Sequence, residues 1–202
     1  MTDRFYPKNG AELPSVTTVT SILDKPFLRF WYGKYGTGRC QQMSKESQEL
    51  GKLLHENIHD YFEKKLVGQT PDLIKIPFDN FLKFVNKFEP QRDSGETVLY
   101  GKGYAGTRDW KGTVLEEGRR KKVILDWKSS KSIDSPEYEL QLEAYYRCEE
   151  DNDVEEFWIV RLPKEGEIDF ERDIVKLKPC KIRFKVFMSL LFVFNWLRKR
   201  GK

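Results

Sequence analysis

The stretch Lys121-Lys122-Val123-Ile124-Leu125-Asp126-Trp127-Lys128-Ser129-Ser130 decides how the rest of the chain is read. Successive side chains of a β-strand point to opposite faces. Ile124, Asp126 and Lys128 therefore share one face, and Val123, Leu125 and Trp127 share the other. An apolar run that ends in two opposite charges on one face is unusual for a plain core strand. Just upstream, residues 104–116 are also rich in strand formers, and the basic turn at 116–122 joins the two runs as a hairpin. Asp109 can then converge on Asp126 across that hairpin. Two convergent carboxylates suit Mg²⁺ or Mn²⁺, which prefer oxygen ligands. A lysine two residues on can hold an attacking water or offset charge developing on a phosphate. For D-x-K taken alone, a strand-end salt bridge between Asp126 and Lys128 is the better reading.

Working outward, residues 1–13 read as a loose N-terminal segment. Ser15 reads as the N-cap of a helix over 16–23, and an aromatic helix follows over 26–35, stopped by Gly36 and Gly38. A long helix is predicted over 39–66, with the apolar stripe Leu50, Leu54, Ile58, Phe62 and Leu66 and with Gly68 and Pro71 beyond its end. Another is predicted over 78–88. Strands follow at 96–102, 104–116 and 121–130, then a helix from Pro136 with Ser135 as N-cap and acidic residues in its first turn. Two strands, at 157–163 and 168–177, and a helix over 179–200 complete the chain. The predicted class is mixed α/β: a central mixed sheet flanked by helices, preceded by a helical region.

Composition narrows the function. The 202 residues carry 36 Lys and Arg against 32 Asp and Glu, a formal charge of +4, which is compatible with a nucleic-acid partner without requiring one. A hydrophobic fraction of 39% excludes global disorder. Cys40, Cys148 and Cys180 are scattered and form no CxxC pair, which argues against a disulfide framework or a zinc ribbon. The first residues lack an apolar signal core, so a cytoplasmic protein is expected. The apolar run from Val186 to Leu197 is too short to span a membrane, which takes about 20 residues, and reads as a buried core helix.

Two other motifs compete. His55-Glu56-Asn57-Ile58-His59 fits the H-E-x-x-H pattern of zinc proteases, and a spacing of four puts both imidazoles on one helix face. The chain holds only these two histidines, and no third zinc ligand stands out. Gly101-x-Gly103-x-x-Gly106 fits the dinucleotide fingerprint, with Asp126 twenty residues on. That fingerprint must open a helix, and here strand formers follow instead, so a turn is the better reading.

Six short motifs, in one order, resemble a known family: the RecB-type branch of the PD-(D/E)XK nucleases, and within it the phage and mitochondrial genome maintenance exonucleases. They are Pro14-Ser15-Val16-Thr17-Thr18 with Trp31, Gly51-Lys52-Leu53-Leu54-His55, Glu96, Gly106-Thr107-Arg108-Asp109, Asp126-Trp127-Lys128, and Gln141-Leu142-Glu143-Ala144-Tyr145. The likeness covers roughly residues 14–162. It implies one nuclease domain over 1–202, with a helical cap at 14–90 carrying His55 and a restriction-endonuclease-like core at 94–202.

The resemblance further implies that His55, Asp109, Asp126 and the Trp127 carbonyl bind one or two Mg²⁺ or Mn²⁺ ions while Lys128 handles the nucleophilic water. Gln141 and Tyr145 would support the site or touch the DNA backbone. Glu96 would assist the metal or pair with a base, and Thr17 and Thr18 would contact phosphate or simply cap a helix. The iron–sulfur members of related families carry four cysteines, so no cluster is expected here. In Arg29-Phe30-Trp31-Tyr32-Gly33-Lys34-Tyr35, aromatics interleave with cations, a pattern that suits stacking on unpaired bases, with Arg29, Trp31, Tyr32 and Lys34 as contacts. The plainer alternative puts Phe30 or Trp31 in the core. The expected activity is metal-dependent exonuclease cleavage of single-stranded DNA, in repair or recombination and of phage-like kinship. A structure-specific endonuclease is the nearest alternative. A zinc protease and a silent DNA-binding module are remote ones.

Overall fold

The computed structural model describes residues 3–64, 70–149 and 153–201. The chain opens with a hairpin, β1 (Phe5–Lys8) and β2 (Ala11–Pro14), where a loose segment was expected. Its turn is Asn9-Gly10, both at positive φ (50° and 78°), the mirror-image turn whose twist matches paired strands. Ser15 caps α1 (Val16–Thr20) as predicted, its Oγ accepting from the Thr18 amide, but the helix ends three residues short of residue 23. Next come α2 (Pro26–Tyr35), α3 (Thr37–Phe62) and α4 (Lys75–Phe88). Lys64 takes a left-handed backbone just past the end of α3. The predicted continuation to Leu66, and Gly68, lie outside the described residues.

Strands then dominate: β3 (Gln91–Ser94), β4 (Thr97–Tyr100), β5 (Ala105–Arg108), β6 (Trp110–Glu116) and β7 (Arg119–Lys128). The first of these was not expected. The single strand predicted over 104–116 is two strands in two sheets, because the chain leaves one ladder and enters another at Asp109. Helix α5 (Pro136–Tyr146), strands β8 (Glu156–Arg161) and β9 (Ile174–Leu177), and helix α6 (Lys181–Lys199) finish the fold. Ser135 stands at the N-cap of α5 without making a cap bond, its hydroxyl turned instead to the Glu137 carboxylate at 3.3 Å. Strand β9 covers only the last four of the ten residues predicted, because Asp173 pins the residues before it by accepting from the Asp169 amide.

The central sheet has the order β3-β6-β7-β8-β9. It is mixed: β7 pairs antiparallel with β6 and parallel with β8, and α5 makes the crossover that a parallel pair requires. Helices cover both faces. Leu54 and Ile58 of α3 and Phe81 and Phe84 of α4 pack on Val123, Leu125 and Trp127. The edges of Phe81 and Phe84 meet the Trp127 ring at 5.4 and 5.1 Å between centroids, a geometry the ring quadrupoles favour. On the opposite face Ile124 packs with Leu142 of α5. The alternation read along β7 therefore divides two cores.

Helix α6 corrects the sequence reading most plainly. Only Phe187, Leu191 and Phe194 are buried, while Ile182 and Phe192 are 71% and 73% exposed. One face packs on α1, α5 and the β4–β5 hairpin, and the sheet lies elsewhere, so the other face has nothing over it among the described residues. No helix among the described residues is long and apolar enough to cross a membrane.

Candidate functional site

The last turn of pairing between β6 and β7 builds the site. Trp110 stands opposite Leu125, so Asp109, one residue earlier, comes to the level of Asp126. Helix α3 crosses that end and brings His55 down on it. Gly51, one turn before, lies so near the strand that an added Cβ would stand 3.7 Å from Ser129 Oγ. The His55 ring bridges the other groups: Nε2 donates to the Trp127 carbonyl at 3.0 Å, and Nδ1 lies 3.4 Å from Asp109 Oδ2. Lys128 Nζ donates to Asp126 Oδ1 at 2.9 Å and stands 2.7 Å from Oδ2. Asp126 Oδ2 is buried and accepts no hydrogen bond despite that neighbour.

Burial pushes the Asp126 carboxyl above the usual carboxylate range, Lys128 opposes this, and Asp109 adds to it. Burial works the other way on Lys128, but Asp126 and Asp109 outweigh it and hold the ammonium above the ordinary lysine range. The dry end of β7 thus retains a charged lysine against a carboxylate that lacks solvation, and a bound cation would relieve that deficit.

Behind the carboxylates, the Gln141 amide donates to the Tyr145 hydroxyl at 2.9 Å, one helical turn apart on α5. Burial, with the charges of Asp109 and Asp126 nearby, pushes the Tyr145 phenol well up, so the group stays neutral. Its ring fills the space a Cβ on Gly106 would need: such an atom would come within 2.5 Å of Tyr145 Cε1 and 3.1 Å of Val16. That approach explains the glycine of G-T-R-D and links three of the sequence motifs.

The remaining predicted residues fall in different places. Glu96 is exposed and lines, with His55, Asp109, Trp127 and Arg92, a cleft of about 510 Å³. Thr18 is buried, its hydroxyl accepting from the Arg4 amide at 2.9 Å, whereas Thr17 is exposed. Helix α2 buries no residue, so neither Phe30, 81% exposed, nor the half-buried Trp31 belongs to a core. Arg29 pairs with Asp24 at 2.6 Å, and Lys34 lies over the Tyr35 ring. Arg29, Trp31 and Tyr32 line an open groove of about 1020 Å³ between α2 and α3. A second depression of about 570 Å³ shares Lys25 and Phe27 with it and reaches Ser130 and Tyr138, next to the end of β7. The carboxylate cleft and the aromatic–basic groove are therefore separate spaces.

His59 does not join His55. Its two nitrogens face Asp60 and Glu63 at 3.7 and 3.8 Å. Two contributors went unread in the sequence. Tyr6 of β1 shares a hydrogen bond of 2.8 Å with Thr107, bracing the approach to Asp109. Tyr138 sets its ring 4.7 Å from Lys128 Nζ. The spacing Tyr138, Gln141, Tyr145 on one helix face was the available signal for the second.

Among the described residues, no three His, Cys, Asp or Glu side chains are gathered closely enough to hold a metal ion by themselves. His55 links the Asp109 carboxylate to the Trp127 carbonyl, and the Asp126–Lys128 pair stands beside them; the donor types are those a small hard cation takes. His55 Nε2 and the Trp127 oxygen are separated by 3.0 Å, close to what two adjacent ligands of an octahedral ion show at about 2.1 Å each. No protein-family model matches the chain, and no curated protein matches it.

Proposed function

We propose that this chain is a metal-dependent deoxyribonuclease of the PD-(D/E)XK type, with a restriction-endonuclease-like core and a helical cap in one domain. It acts as an exonuclease on single-stranded DNA. One observation carries the reading: His55, Asp109, Asp126, the Trp127 carbonyl and Lys128 converge at one end of β7.

His55, Asp109, Asp126 and the Trp127 carbonyl would hold Mg²⁺ or Mn²⁺. When bound, the ion supplies Lewis-acid stabilisation of the phosphate and a water of lowered pKa. The protein's own residues do the rest. Asp126 fixes the Lys128 ammonium, which orients the attacking water and offsets negative charge gathering on the phosphate oxygens. Trp127, wedged between α3, α4 and the sheet, holds its carbonyl at the rim of the cleft. Tyr145 and Gln141 back the carboxylates and keep water from behind them. The groove lined by Arg29, Trp31 and Tyr32 would receive unpaired bases, with Lys34 beside it.

The test is digestion of end-labelled linear single strands, duplexes and closed single-stranded circles with Mg²⁺ or Mn²⁺. Linear single strands should be degraded fastest, and chelator should stop the reaction. Rapid cutting of circles would make the enzyme an endonuclease. Absence of cleavage on every substrate with either ion would remove the nuclease reading.

A further inference from the structure

Resting on that nuclease reading, we propose that Tyr138 is a positioning residue whose ring, lying against the Lys128 ammonium, holds that ammonium where it can meet the attacking water. The Nζ atom lies 4.7 Å from the ring centroid and 2.7–2.9 Å from the two Asp126 oxygens. A lysine side chain is long and flexible, with three donors and no planar fork to fix it. Held by Asp126 alone, it would be free to close over the carboxylates that must accept a metal ion. The electron-rich ring face gives the cation a second attraction besides Asp126.

The ring is itself fixed. It sits in the first turn of α5, where Pro136 takes the first helical position and Glu137 pairs with Lys25 at 2.8 Å. It packs against the cluster that contains Ile124 and Ile133. Tyr138 also lines the depression shared with Lys25 and Phe27, which raises a competing role as a hydroxyl donor to DNA. The two roles use different parts of the side chain, and substitutions separate them.

In the full chain, Tyr138→Phe keeps the ring and should keep kcat within about twofold. Tyr138→Leu should lower kcat about tenfold with little change in KM for single-stranded DNA, and Phe at this position should restore the rate. Loss of activity in Tyr138→Phe equal to that in Tyr138→Leu, or an effect on KM alone, would overturn the inference. A second readout does not depend on cleavage. With ¹³C-labelled lysine, the Lys128 ε-methylene protons, identified by their absence in Lys128→Met, should be shifted upfield by the ring and return to the ordinary position in Tyr138→Leu. If the wild-type protein cleaves DNA without that shift, the inference alone falls. If the shift is present but no DNA is cleaved with either metal, the nuclease reading has failed and the positioning role falls with it.

Discussion

Strand β7 carries a cluster of charges at each end, and the two clusters are opposites. At the turn end, Lys121 binds Glu116 at 2.6 Å and Glu156 at 3.2 Å, and Lys176 also binds Glu116. Glu116, Lys121, Glu156 and Lys176 are thus all paired. Burial alone would raise the Glu116 carboxyl, but the hydrogen bonds from Lys121 and Lys176 hold it below the usual range. At the other end, Asp126 is buried, its carboxyl is pushed up, and one oxygen lacks a hydrogen bond. The turn end is a completed ion-pair network that stabilises a hairpin. The far end is incomplete in the sense that one lysine, Lys128, does not offset the burial of Asp126, whose carboxyl stays pushed up. A D-x-K pair at a strand end is compatible with either, and what separates them is how many partners each oxygen finds.

The largest expected effect tests the incomplete end directly. Asp126→Asn and Asp109→Ala should each lower cleavage at least a thousandfold, about 4 kcal/mol of transition-state stabilisation. The fold should survive, as judged by an unchanged circular dichroism spectrum. Glu116→Gln, the matching change at the completed end, should leave the cleavage rate unaltered. Equal losses at both ends would erase the distinction.

The two histidines of α3 come next. His55→Ala should cost about a hundredfold in cleavage, on the scale of a lost metal contact. His59→Ala should cost no more than about twofold, since His59 lines the same cleft but faces Asp60 and Glu63 in place of Asp109. A folded, inactive His59→Ala protein with bound zinc would restore the protease reading of the H-E-x-x-H pattern.

Smaller effects belong to the DNA path. Trp31→Ala or Tyr32→Ala should weaken single-strand binding about three- to tenfold in fluorescence anisotropy without altering thermal stability, because α2 buries no residue. Affinity should also fall with added salt, because counterions displaced from the phosphates gain less entropy on release into a saltier solution.

The smallest effect concerns acid. Glu116 and Glu149 both titrate below the usual range in the folded state: burial alone would raise each, but lysine bonds hold Glu116 down, and bonds from Arg108 and Lys111 hold Glu149 down. A depressed carboxyl contributes stability that is fully present above its unfolded pKa, about 4.3, and is lost as pH falls through the folded value. Denaturant melts should therefore weaken below about pH 4. Glu116→Gln should remove part of that slope at a cost of about 1 kcal/mol near neutrality.

Much of this was legible in the chain. Alternation along Val123 to Lys128 put Asp126 and Lys128 on one face, and the hairpin brought Asp109 to them. The stripe Leu50, Leu54, Ile58 is the buried face of α3. Arrival of His55 at the end of β7 was readable only through family resemblance, since helix periodicity does not say which strand a helix crosses. The Asn9-Gly10 hairpin had a clear turn signal, but its four-residue strands are too short to show a period. The break at Asp109 was invisible because strand-forming residues run straight through it, and what changes there is the pairing partner. The exposure of α6 was misjudged because apolar content reports what a helix can bury and not what lies beside it.

The position of Asp109 has one more consequence. Its backbone is the seam between two sheets: the five-stranded sheet on one side, and on the other the β4–β5 hairpin bridged to α1 through Ser15 and Ala105. Units of this kind open separately in native-state hydrogen exchange, the smaller one more readily. Each opening of the small unit would carry Asp109 away from Asp126 while β7 stays paired. Catalytic competence would then be set by the less protected unit, and the protein would lose and regain its activity on warming well before its amide protons in the large sheet begin to exchange.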